Sequence, residues 1–173
     1  ALQSTPFRDS VSGCVGISET ALNLSLVLIA RTRRGYGRLS HLISCARRAA
    51  TKGDYWLDRQ MVEDNLPEEC FALWLPNSDE AAERYAFQAA WLQRVFGNNL
   101  RLAVQLHLRG DDRGELQRLT RVGERFGIRL CAAGGVLMHE PSRRVLLDTL
   151  TAIRLGRALN KLGYAGEPNN ERH

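Results

Sequence analysis

The chain has 173 residues, 44% of them hydrophobic and 25% charged, enough to bury one core, so a single domain over 1–173 is expected, with 1–21 and 161–173 as poorly defined ends. Its 22 arginines against two lysines, Lys52 and Lys161, give a formal net charge of +5. The planar guanidinium fork suits phosphate, which leaves a nucleic-acid or nucleotide partner open beside the plainer reading of charges spread over solvated helix faces. No apolar run reaches the roughly 18 residues that cross a bilayer, and "ALQSTPFRDS" carries no basic-then-apolar signal, so a soluble, cytoplasmic chain is expected.

From Leu22 the pattern becomes regular. "LNLSLVLIA" (22–30) reads as a strand covered on both faces, and Leu39, Leu42, Ile43 and Ala46 at helical spacing predict a helix over 36–50 that stops near Gly53. Residues 54–69 read as a connection with a short helical turn, and "CFALWLP" (70–76) as a second buried strand closed by Pro76. A helix follows with Ser78 as N-cap, Asp79 and Glu80 at its positive end, and Gly97 as the stop. Residues 99–108 read as strand three, 111–127 as a helix with Leu116, Leu119, Val122 and Phe126 on one side, and 128–136 as strand four. A last helix runs from Pro141 to Gly156, and the polar "EPNNERH" trails from it. Four strands alternating with four helices predict an α/β fold with a parallel sheet.

In a parallel sheet the residues that do chemistry gather at the C-terminal strand ends. Here those ends offer Gln105, His107, Asp111, Asp112 and His139. Two histidines and one or two carboxylates suit zinc or manganese. Capping explains Asp111 and Asp112 without a ligand, and a strand-end hydrogen bond explains His107. His139 is the strongest functional candidate of the four histidines. Cys14, Cys45, Cys70 and Cys131 are too widely spaced for a zinc ribbon or a disulfide framework, so free thiols are expected. "RTRRGYGR" (31–38) concentrates positive charge, but "GYGRLS" lacks the dinucleotide glycine set, and Gly13 and Gly16 form a flexible loop.

Three stretches, 26–55, 102–139 and 142–159 with its "LDTLTAIRLGR", together resemble the N-terminal PHP (polymerase and histidinol phosphatase) domain of bacterial C-family DNA polymerases, of the error-prone alpha-subunit type. That resemblance implies a distorted TIM-like β/α barrel whose strand-end histidines and carboxylates hold two or three metal ions and can support phosphoester hydrolysis. The chain departs from the pattern at the ligand positions. Gln105 stands where the family usually has a glutamate, Gly135 and Leu137 fall where "GDVH" supplies Asp and His, the opening His-x-His is missing, and Glu19 in "GISET" is a poor match for another glutamate. "CAAGGVLMH" therefore reads as a former metal site, with His107 and His139 left to hold at most a residual ion.

The leading expectation is a non-catalytic PHP-type scaffold of an error-prone polymerase serving damage-induced synthesis, DNA repair and replication. Such a segment holds no tight cofactor of its own, while magnesium serves nucleotidyl transfer elsewhere in the parent polymerase. Its partners would be the other polymerase domains, DNA, and possible sliding-clamp and mutagenesis accessory proteins, with Arg31, Arg33, Arg34 and Arg38 facing DNA or a neighbouring domain. The alternative is a zinc- or manganese-dependent phosphoesterase or exonuclease using His107, His139, Asp111 and Asp112; a third reading is an unrelated α/β interaction module.

Overall fold

The computed structural model describes residues 2–3, 24–65, 69–76 and 82–173. Residues 1–103 with 121–131 form one compact unit, and residues 104–120 with 132–173 a second. Most of a five-stranded sheet lies in the first, in the order β1-β2-β3-β4-β5. Strand β2 (Ser25–Ala30) pairs antiparallel with β1 (Leu2–Gln3) and with β3 (Cys70–Leu75), so that Ala30 faces Cys70 and Ser25 faces Leu75. Strand β3 pairs parallel with β4 (Leu100–Val104), and β5 (Arg129–Ala132) completes the row.

The sheet is therefore mixed rather than wholly parallel, and among the described residues it is open, with β1 and β5 at its edges. The register gives the reason. Glu69 lies at the end of β2, where its carbonyl accepts from the Arg31 N–H at 2.9 Å. Strand β3 must then start beside Ala30 and run the other way. An apolar run cannot report that direction, nor how many faces are covered: in β2 Leu26 is buried while Ile29 is 49% exposed. In β3 burial alternates, with Cys70, Ala72 and Trp74 inward.

Helix α1 (Arg33–Arg48) begins three residues before its predicted start, because the Thr32 hydroxyl accepts from the Gly35 N–H at 3.0 Å and caps it. The same hydroxyl donates to the Glu69 carboxylate. Gly35 lies so near that turn that a Cβ on it would sit 2.5 Å from the Glu69 carbonyl oxygen. Asp58 caps the short α2 (Arg59–Asp64) by accepting from Met61 N–H at 2.8 Å. Helix α3 (Ala82–Phe96) stops at Gly97 as its sequence predicts, while the Ser78 cap with Asp79 and Glu80 lies outside the described residues. Between these helices the Arg59 guanidinium stands over the rings of Phe87 and Trp91, 4.1 and 5.7 Å from their centroids, and burial lowers its pKa from the ordinary arginine value. Glu63 accepts from Trp91 Nε1 at 2.7 Å and from Arg94 Nη2 at 2.5 Å, and these two hydrogen bonds hold its carboxyl below the ordinary range.

The core of this unit centres on Trp74, Leu42, Leu92, Leu100 and Leu102, all fully buried, with the Trp74 and Tyr85 rings 5.4 Å apart. Burying each large side chain contributes about 1.5–3 kcal/mol. Cys45 and Cys70 are free thiols, and burial raises the Cys70 pKa; Cys14 lies outside the described residues.

The second unit contains the loop after β4, the start of α4 (Asp112–Phe126), the loop after β5, a 3-10 turn at Pro141–Arg143 and α5 (Arg144–Leu155). Left-handed Gly156, at φ +61°, ends α5 by returning its N–H to the carbonyls of Ala152 and Ile153. Leu119, Met138, Ala152 and Leu162 are buried. Gly163–Ala165 forms a further 3-10 turn, and the tail that follows is hydrogen-bonded to the loops, as described next. Among the described residues no helix is long and apolar enough to cross a membrane.

Candidate functional site

Strand β4 ends at Val104, whose carbonyl accepts from Ala133 N–H at 2.9 Å. Gln105 and His107 thus lie beyond the strand, in a loop, although the sequence places both within a strand over 99–108. His107 is only 7% exposed, and its Nε2 is 2.7 Å from the Gly134 carbonyl oxygen. A carbonyl can only accept, so Nε2 carries the hydrogen and is spent on the loop. Next to it Leu108 sits at φ 51°, a left-handed backbone for a residue with a Cβ. Asp112 braces this bend, its two carboxylate oxygens accepting from Leu108 N–H at 2.8 Å and Arg109 N–H at 3.2 Å. Both oxygens of this candidate ligand are engaged by the backbone. Asp111 is exposed at the start of α4, and its carbonyl accepts from Glu115 N–H.

Across the rim, Gly135 has a φ of +54°. A Cβ there would lie 2.9 Å from Gln105 Nε2 and 3.1 Å from an Arg172 terminal nitrogen, so the loop, the amide and the guanidinium meet at one point. Arg172 Nε donates to the Gly135 carbonyl at 2.8 Å and Nη1 to Glu167 Oε1 at 2.9 Å, while the Arg172 carbonyl accepts from the N–H groups of Leu137 and Met138. Glu167 Oε2 accepts from Arg109 at 2.8 Å, and its main-chain carbonyl accepts from Arg144. Asn169 donates to the carbonyls of His107 and Leu108, so the tail laces the two loops together. No periodicity in "EPNNERH" announces this; only its density of hydrogen-bonding side chains hints at it.

The remaining candidates disperse. Leu137 is 46% exposed and supplies no donor. His139 is an exposed side chain 3.9 Å from Glu140, which also meets Arg143. Among the described residues no three His, Cys, Asp or Glu side chains are grouped so as to hold a metal ion, and His107, His139, Asp111 and Asp112 are not gathered into one donor set. The side chains at this rim do not suit a multinuclear cluster: Gln105 offers a neutral amide, Gly135 and Leu137 offer no side-chain donor, and the buried His107 donates to a carbonyl. Glu19, Gly13 and Gly16 lie outside the described residues.

In the first unit the basic turn is split in its roles. Arg31 stacks 4.8 Å from the Phe71 ring centroid and reaches Asn99 Oδ1 at 3.3 Å, so it serves the fold. Arg38 is half-buried, whereas Arg33 and Arg34 are exposed in the first turn of α1, which has no acidic residue. The helix dipole disfavours cations there, by about 0.3–1 kcal/mol each.

No family model matches the chain. Over 148 residues it is 47% identical to the error-prone DNA polymerase of Methylococcus capsulatus, a match that takes in 86% of the chain and 14% of that protein. The same identity and coverage hold for the error-prone DNA polymerase of Alkalilimnicola ehrlichii. That of Azoarcus sp. is 45% identical over 157 residues, 88% of the chain and 14% of the relative. The chain thus spans 14% of the length of these curated relatives.

Proposed function

The chain is homologous to a segment of the error-prone DNA polymerases, and from that premise we propose that it is a non-catalytic PHP-type scaffold segment of such an enzyme, part of a distorted TIM-like barrel. In this reading nucleotidyl transfer, with its magnesium, belongs to other parts of a polymerase acting in the cytoplasm on damaged DNA. The partners are then those other domains and, through them, DNA, the sliding clamp and mutagenesis accessory proteins.

The observation that carries the non-catalytic reading is the chemistry of the strand-end rim. Gln105 replaces a charged donor by an amide, Gly135 and Leu137 supply none, and His107 is committed to the Gly134 carbonyl. Generating a metal-bound hydroxide and neutralising phosphoryl charge needs several anionic or imidazole donors facing one point. The exposed Arg33 and Arg34 support a contact with the DNA backbone or a neighbouring acidic surface, since an anion placed there would relieve their conflict with the α1 dipole.

The test is hydrolysis of bis(p-nitrophenyl) phosphate by the purified chain with manganese or zinc. The expected rate equals that of the metal in buffer and is unchanged in His107→Ala. A chelator-sensitive rate that disappears in His107→Ala would overturn the scaffold reading in favour of the phosphoesterase.

A further inference from the structure

We propose that the loops after β4 and β5, together with Glu167 of the C-terminal tail, form a guanidinium-binding pocket, filled in this chain by its own Arg172. Its walls are the Gly135 carbonyl, the Glu167 carboxylate and the Gln105 amide. The guanidinium uses separate edges on the first two, with Nε to the carbonyl at 2.8 Å and Nη1 to the carboxylate at 2.9 Å. That division suits a planar cation with several fixed N–H vectors; an ammonium group on the same backbone offers one point charge. Glycine at 135 is required on two counts, its φ of +54° and the space that a Cβ would take from Gln105 and Arg172.

The pocket's charge selects the ligand. Glu167 is the carboxylate that touches Arg172, and it is shared with Arg109, so the local anionic charge is already matched by monovalent cations. Gln105 and the Gly135 carbonyl add oxygen and nitrogen dipoles but no charge. A divalent ion here would face one shared carboxylate, too little to compensate its dehydration. The arginine side chain is 20% exposed, and its main-chain carbonyl is separately clipped by Leu137 and Met138, so the backbone of the tail stays docked when the side chain is removed. This inference rests on the geometry of the second unit and not on the polymerase relationship.

The experiment is chemical rescue in the full chain. Arg172→Ala is expected to lower Tm by about 5 °C, the loss of two charge-assisted hydrogen bonds in a chain of this size. Methylguanidinium at millimolar concentration should restore a good part of that loss, and should fail to do so in the Arg172→Ala/Glu167→Gln double variant. Methylammonium at equal ionic strength should restore nothing. An unchanged Tm in Arg172→Ala, equal rescue by methylammonium, or rescue by manganese or zinc instead would each overturn the proposal. Should Arg172→Ala fail to fold, the wild-type chain decides by NMR, with Arg172→Lys locating the resonance. The Arg172 Nε–H should exchange with solvent far more slowly than that of exposed Arg33, and equal exchange would overturn the pocket.

Discussion

Replacing Gly135 by alanine probes the strand-end loop with a single methyl group. The backbone there is left-handed, at φ +54°, which costs an alanine roughly 1–2 kcal/mol. The new Cβ would lie 2.9 Å from Gln105 Nε2 and 3.1 Å from an Arg172 nitrogen. Both atoms end flexible side chains and can move, so crowding adds about 1 kcal/mol or less through weakened hydrogen bonds. The total is about 1–3 kcal/mol, borne by the second unit. Gly134→Ala is the matched control, because that residue has no positive φ and its added Cβ would meet an exposed Val136 methyl at 3.1 Å. Its effect should stay within about 1 kcal/mol of zero. Native-state hydrogen exchange at the Leu137 and Met138 amides, both bonded to the Arg172 carbonyl, reads the local effect. In Gly135→Ala their exchange should speed up by about 5- to 150-fold, with Gly134→Ala near wild type. Equal effects of the two substitutions would show that neither the left-handed backbone at Gly135 nor its contact with Arg172 matters to the loop.

The same steric logic applies in α1. Gly35→Ala, whose Cβ would lie 2.5 Å from the Glu69 carbonyl, should destabilise the chain by about 1–2 kcal/mol even after the gain in helix propensity, whereas Gly37→Ala, with open space around it, should stabilise by up to about 1 kcal/mol; urea unfolding separates them. Glu63 has a depressed carboxyl pKa, so its contribution is present above the unfolded value and is lost as pH falls through the folded one. Glu63→Gln should therefore be less stable than wild type at neutral pH, and the gap in Tm should close on acidification below the ordinary glutamate range. Arg33→Ala with Arg34→Ala should weaken DNA binding and reduce the slope of log affinity against log salt by about two, and an unchanged slope removes these residues from the contact.

Much of the α/β order was legible in the sequence because apolar periodicity and glycine stops are local signals. Residues 70–75, 112–126 and 144–155 fall where the patterns place them. Strand direction was not legible: an apolar run can pair in either direction, and the antiparallel register of β2 with β3 depends on which strand ends meet in space. At the rim, the chemistry of Gln105, Gly135 and Leu137 could be read from their identities. The partners of Asp112 and His107 could not, since one braces a backbone bend and the other meets a carbonyl 27 residues away. Arg172 was hidden most completely, because a hydrogen-bonded tail has no periodicity, and its role depends on a cradle built by residues 105 and 135.

A rim closed by a guanidinium has too few donors to hold a cluster of cations. Metal stoichiometry decides the matter: strip the chain with chelator, dialyse it against micromolar manganese or zinc, and count bound ions by elemental analysis. Fewer than one tightly held ion per chain is the expected result. Two or more, released together by His107→Ala or by Gln105→Ala, would contradict it.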